Sequence, residues 1–134
     1  MILVAQIATL IAAAVHLLAF VWESVLFHRP SVHEGIFRIP DSDVHAAHLW
    51  AFNVGFYNFF LAAGAATGVV LWWAGQAAPG RTLVLYICTF MCLAGVALAV
   101  SDRMALSRRR GDGVVGALSQ SVPPLVALIA LAIG

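Results

Sequence analysis

The sequence predicts an all-α integral membrane protein, a four-helix bundle, and three observations carry that prediction. The 134 residues are 63% hydrophobic and only 10% charged, with a mean hydropathy of +0.98; no soluble domain of this size needs so much apolar surface. Four stretches, at 1–22, 44–80, 82–101 and 113–134, contain no Asp, Glu, Lys or Arg. Each is long enough to cross a hydrocarbon layer of about 30 Å. The basic residues are also unevenly placed. The chain has no Lys; Arg29, Arg38, Arg103, Arg108, Arg109 and Arg110 fall in the first and third connections, and Arg81 alone in the second.

The first span passes Glu23 and resumes with Val25, Leu26 and Phe27, so its helix is placed at 2–27. It lacks a basic leader and exceeds the apolar run of a cleaved signal, and is expected to be retained. The second stretch is too long to be all membrane. Gly75 with Pro79-Gly80 should end its helix near Trp73, within 44–74. The third helix is placed at 82–103 and the fourth at 113–133, where Pro123-Pro124 break the backbone ladder beside Ser119 and Gln120. A single domain, 1–134, accounts for the chain.

The arginine asymmetry sets an expected orientation, with loops one and three cytoplasmic and both termini on the outer side. Trp22 and Trp50 then mark the inner interface, Trp72 and Trp73 the outer one. Lys-free, Ala- and Arg-rich composition suggests a bacterial multi-pass protein of the inner (plasma) membrane. The first loop, 28–43, mixes charged residues with Val32, Ile36 and Phe37 and should lie at the interface; its ordinary reading is a surface loop, and a cap over a site beneath it is the alternative. The Arg108–Arg110 triplet serves topology and contact with membrane lipids. A net charge of +1 leaves almost no electrostatic footprint for nucleic acid.

Glu23 is the most telling residue, because a carboxylate in a membrane span costs about 2.5–3.5 kcal/mol and marks a functional site by default. His16, seven residues earlier, shares nearly the same helix face at about 100° per residue. With a rise of 1.5 Å per residue, Glu23 lies about 6 Å and His16 about 16 Å from the inner helix end, Asn53 about 13 Å, Tyr57 about 20 Å and Gln120 about 10 Å. Asn53 and Tyr57, at i and i+4, share a face. The outer half reads as Ala, Leu, Val, Gly and paired Trp. An inward-facing polar pocket under an apolar roof follows, with Glu23, Asn53, Tyr57 and Gln120 on one cavity and His16 above them. Glu23 and His16 are the acid–base candidates, while Trp22, Asn53, Tyr57, Asn58 and Gln120 form the ligand-binding set. Taken alone, Asn58 is interhelical glue, a bond worth about 0.6 kcal/mol on average.

Other groups carry less. His45 and His48 have the i, i+3 spacing of two metal ligands, but interfacial His is common and no metal is assigned. Cys88 and Cys92 sit at a spacing suited to packing rather than redox chemistry. No phosphate-cradling, nucleotide or serine-nucleophile motif is present, so no cofactor is expected. Gly64 and Gly68, among alanines, form a small-residue face for close packing within the bundle or for a homodimer.

Several of these residues together resemble the DUF1304 family of small bacterial four-helix membrane proteins. The resemblance rests on His16 with Glu23 before Arg29-Pro30, on the second-helix run from Asn53 through Tyr57-Asn58 to Gly64, and on Gln120 before Pro123-Pro124. It covers essentially the whole chain. Val54, Phe59 and Pro124 depart from the family's usual Gln, Gly and Ala, and His45 and His48 match nothing in its motif. The resemblance implies the fold and the site but no reaction.

The residues support three functions. The first is a membrane-embedded site for a small lipid-like or apolar molecule, with metal-independent acid–base chemistry of an isomerase or cyclase centred on Glu23. The second is a proton-coupled exporter, for which the apolar outer half offers no exit path. The third is a non-catalytic assembly subunit in which the polar cluster only pins helices.

Overall fold

Alanine decides how closely the long helices approach one another. In the computed structural model, which describes residues 1–106 and 109–134, the buried core holds Ala5, Ala8, Ala12, Ala13, Ala62, Ala65, Ala117, Ala127 and Ala130. Small side chains let backbones come together, the usual means by which helices associate in lipid. Larger residues, Val69, Val84, Ile87, Cys88 and Met91, fill the gaps between them.

The helices in chain order are α1 (Ile2–Phe20), extended by a π-turn at Val21–Val25; the single turn α2 (Pro30–His33); α3 (Val44–Trp73); α4 (Ala77–Arg103); and α5 (Val114–Ile133). The described residues contain no strand. Four segments, Ile2–Val25, Asp41–Trp73, Ala77–Arg103 and Val114–Ile133, are long and apolar enough to cross a membrane. The protein is therefore an all-helical, multi-pass-type bundle.

The four long helices form a square in which α1 packs on α3, α3 on α4, α4 on α5 and α5 back on α1, so α1 and α4 meet only marginally across the middle. Neighbours run antiparallel. One end of the square carries both termini and the α3–α4 turn; the other, the loop end, carries the two longer connections. Arg108, in the arginine triplet of the third connection, lies outside the described residues.

Local chemistry explains the turns. α3 ends where Gly75 adopts φ +82°, with Gln76 N–H on the Leu71 carbonyl (3.0 Å) and Gly75 N–H on that of Trp72 (3.2 Å). This paired pattern caps a helix through a left-handed glycine. α4 then begins at Ala77, five residues before the expected start at 82. Pro79 falls in its first turn, where a missing N–H costs nothing. Gly80 lies against the Gly68 carbonyl and Trp72 nitrogen; an added Cβ would come within 2.7 Å of each. The small-residue face of Gly64 and Gly68 meets Ile87, Val84 and Gly80 of α4. The face thus contributes to packing within the bundle.

At the loop end, Asp102 is buried and accepts the N–H groups of Gly111 (2.8 Å) and Gly113 (2.7 Å), tying α4 to the start of α5. The first loop folds onto the protruding start of α3. Phe27 is buried and stacks on His48, with ring centroids 5.9 Å apart, and also meets Phe37 and His33. His33 is buried; its Nδ1 bonds to the Ile39 carbonyl (2.9 Å) and its Nε2 lies 3.6 Å from Asp41.

Candidate functional site

The site begins with a fault in α1. Leu26 N–H reaches back five residues to the Val21 carbonyl (2.9 Å), closing a π-turn over Val21–Val25. Such turns insert a residue into the helical phase and are found disproportionately at functional sites. Here the turn brings consecutive side chains, Glu23 and Ser24, to face α3. Ser24 Oγ donates to the Phe52 carbonyl (2.9 Å), and Asn58 Nδ2 donates to Glu23 Oε2 (2.7 Å).

Gly55 makes this approach possible. A Cβ there would collide with Ser24 Oγ and come within 3.1 Å of the Glu23 Cβ. Gly55 did not emerge from the sequence, yet it left a signal: a glycine in a helix interior, costing about 1 kcal/mol against alanine, three residues before Asn58. An aromatic cluster joins the same two helices. Phe20 of α1 lies 5.2 Å from the rings of both Phe56 and Phe59, and Phe52 lies 5.0 Å from Phe56.

Glu23 is half-buried, and its partner is a neutral amide rather than a cation. Its other oxygen, Oε1, accepts no hydrogen bond from a described residue. Among described side chains, only His16 Nε2 and His33 Nε2 are both fully enclosed and unpartnered, so Oε1 is not fully enclosed. The carboxyl is thus gripped by one oxygen.

The remaining sequence candidates scatter around this bond. His16 is 1% exposed, with Nδ1 on the Ala12 carbonyl (3.0 Å) and Nε2 unpartnered; no contact joins it to Glu23. Trp22 and Gln120 are half-buried, and no described residue hydrogen-bonds to the Gln120 side chain. Asn53 and Tyr57 are exposed on the outer side of α3, Tyr57 by 57%. The expected single cavity shared by Glu23, Asn53, Tyr57 and Gln120 is therefore not the arrangement found. Asn53 and Asn58 are five residues apart, about 140° around a helix, so only one can face α1. α3 and α5 stand on opposite corners of the square, which separates Gln120 from Asn53 and Tyr57.

The half of the bundle nearer the termini also departs from expectation. It holds two buried polar residues, Gln6 and Thr9. Trp73 Nε1 donates to Gln6 Oε1 (3.1 Å), and Thr9 Oγ1 donates to the Ala5 carbonyl (2.7 Å) and touches Cys88 Sγ (3.8 Å). Cys92 Sγ meets the Ser121 carbonyl (3.6 Å) next to the proline pair. Among the described residues no group of three His, Cys, Asp or Glu gathers as a metal site, and His48 is committed to the Phe27 ring.

The chain belongs to the DUF1304 family, described as proteins of unknown function, whose profile matches residues 10–132 and so takes in every candidate above. Neither the curated proteins nor the solved structures contain a match to it.

Proposed function

We propose that this DUF1304 member uses the Glu23–Asn58 pair as a membrane-level site for a small apolar or amphipathic molecule, with Glu23 exchanging a proton with the bound molecule. The observation that carries the proposal is the pairing itself: a carboxyl on a helix long and apolar enough to span a membrane, turned by a π-turn onto a neutral amide, with one oxygen held and the other not fully enclosed. A carboxyl kept for ion pairing would face a cation. One held by an amide is positioned to give and take a proton.

The chemistry this supports is isomerisation or cyclisation, in which Glu23 takes a proton from one atom of the bound molecule and returns it to another. No external reductant or nucleotide enters that balance. Phe20, Phe56 and Phe59 provide apolar surface on the same two helices, and His16, deeper on α1, is the second group able to hold a proton. By the arginine asymmetry the site faces the cytoplasm. The Asn58 bond equally favours a second reading, in which Glu23 only pins α1 to α3.

Extraction of the protein from nanodiscs followed by mass spectrometry separates the two readings. The expected result is one non-phospholipid amphiphile enriched with the wild type and with Glu23→Gln, present in the variant as the unconverted isomer. No enriched molecule with either protein would overturn the site. An identical extract from both would overturn the acid–base chemistry and leave the pinning role.

A further inference from the structure

At the opposite end of the bundle, a crevice of about 320 Å³ opens between the first turns of α4 and the last turns of α5, lined by Arg81, Thr82, Leu85, Leu128, Leu131 and Ala132. Its chemistry is ordered along the helix axis. Arg81 is the fifth residue of α4 and stands at the membrane-boundary end. Leu85 lies one turn further in, about 6 Å deeper. Leu128 and Leu131 line the same slot from α5. The mouth is cationic and the floor is hydrocarbon.

Arg81 is singular in two respects. It is the only charged side chain between residues 44 and 101, and residues 1–22 and 113–134 contribute none. No carboxylate side chain in these spans can neutralise it, and no described residue forms an ion pair with it. Its guanidinium is also held in place, 5.6 Å over the Trp72 ring. A stacked guanidinium keeps its N–H edge available for bidentate contact with a phosphate and loses less freedom on binding.

From this we infer that the α4–α5 crevice binds one anionic glycerophospholipid of the adjoining leaflet, with its phosphate on Arg81 and an acyl chain laid along Leu85, Leu128 and Leu131. Basic pockets between transmembrane helices bind acidic headgroups in this way. A zwitterionic lipid would bring a cation for which this end offers no carboxylate side chain. The inference is independent of the Glu23 site, which lies at the other end of the molecule.

The test uses the full chain in nanodiscs of phosphatidylcholine alone or mixed with phosphatidylglycerol, read by native mass spectrometry and thermal unfolding. The wild type should retain one phosphatidylglycerol and unfold at higher temperature in the mixed discs. Arg81→Gln should lower the preference for phosphatidylglycerol about fivefold, the worth of one near-surface cation. Leu128→Phe or Leu131→Phe should expel the retained lipid with Arg81 intact; using both guards against one failing to fold. Equal retention of the two lipids by the wild type would overturn the inference. So would lipid loss in Arg81→Gln but in neither filled-groove variant, or equal thermal stabilisation by inorganic phosphate in detergent.

Discussion

Among the described residues the seam between α1 and α3 carries two hydrogen bonds from side chain to side chain, one near each end, and the two differ in kind. Near the termini, Trp73 Nε1 donates to Gln6 Oε1 (3.1 Å) across regular helix. Near the loop end, Asn58 donates to Glu23 Oε2 (2.7 Å) across a π-turn and a glycine. The first shows that two neutral groups suffice to hold these helices together. The second does the same work with a carboxyl, at an irregular turn and beside a helix-weakening glycine. On the reading proposed above, the carboxyl, the irregular turn and the glycine together mark the site.

Substitutions can break or sharpen this contrast. The largest effect is expected from Glu23→Gln, which keeps size and hydrogen bonding. Turnover of the retained molecule should fall by about 10²–10⁴-fold, the usual share of a proton-transferring group. The unfolding temperature should stay near that of the wild type, and a large drop in it would move Glu23 into the same class as Gln6.

Next comes Gly55→Leu, which forces Ser24 and Glu23 away from α3. Overpacking of this kind costs typically 1–3 kcal/mol. Thermal unfolding should show the loss; a neutral result would mean that the α1–α3 approach is looser than the geometry here. Asn58→Leu removes the donor to Glu23 without crowding the seam. A loss of roughly 1–2 kcal/mol is expected, together with weaker ligand retention. Retention that survived intact would assign the grip on the carboxyl to another group.

The smallest effect belongs to Gln6→Leu. It leaves the Trp73 N–H at the interface without its partner, and interhelical bonds in membranes average about 0.6 kcal/mol. A small fall in unfolding temperature with unchanged ligand retention is expected. Loss of the ligand here would erase the distinction between the two fastenings.

Much of this was legible in the residues. Glu23 announced itself against an uncharged background, and Gly75 announced the end of α3. The site's partner was not. Asn53, Tyr57 and Asn58 all lie on one helix at suitable depth, and a depth argument cannot tell which of them faces α1. Gln6 and Thr9 are ordinary residues alone, Trp73 reads only as an interface marker, and Gln6 and Trp73 stand 67 positions apart in the chain.

By itself the sequence determined the all-helical class, four helices long and apolar enough to span a membrane, the family, and a carboxyl near the end of the first of those helices. These follow from composition and from runs of like residues, which act locally. Tertiary structure decided which amide meets that carboxyl, that Gly64 and Gly68 face α4, and that Arg81 heads an apolar crevice. Those facts depend on the rotational phase of each helix against its neighbours. That phase is set by packing and, in α1, shifted by a π-turn that no local preference in Val21–Val25 foretells.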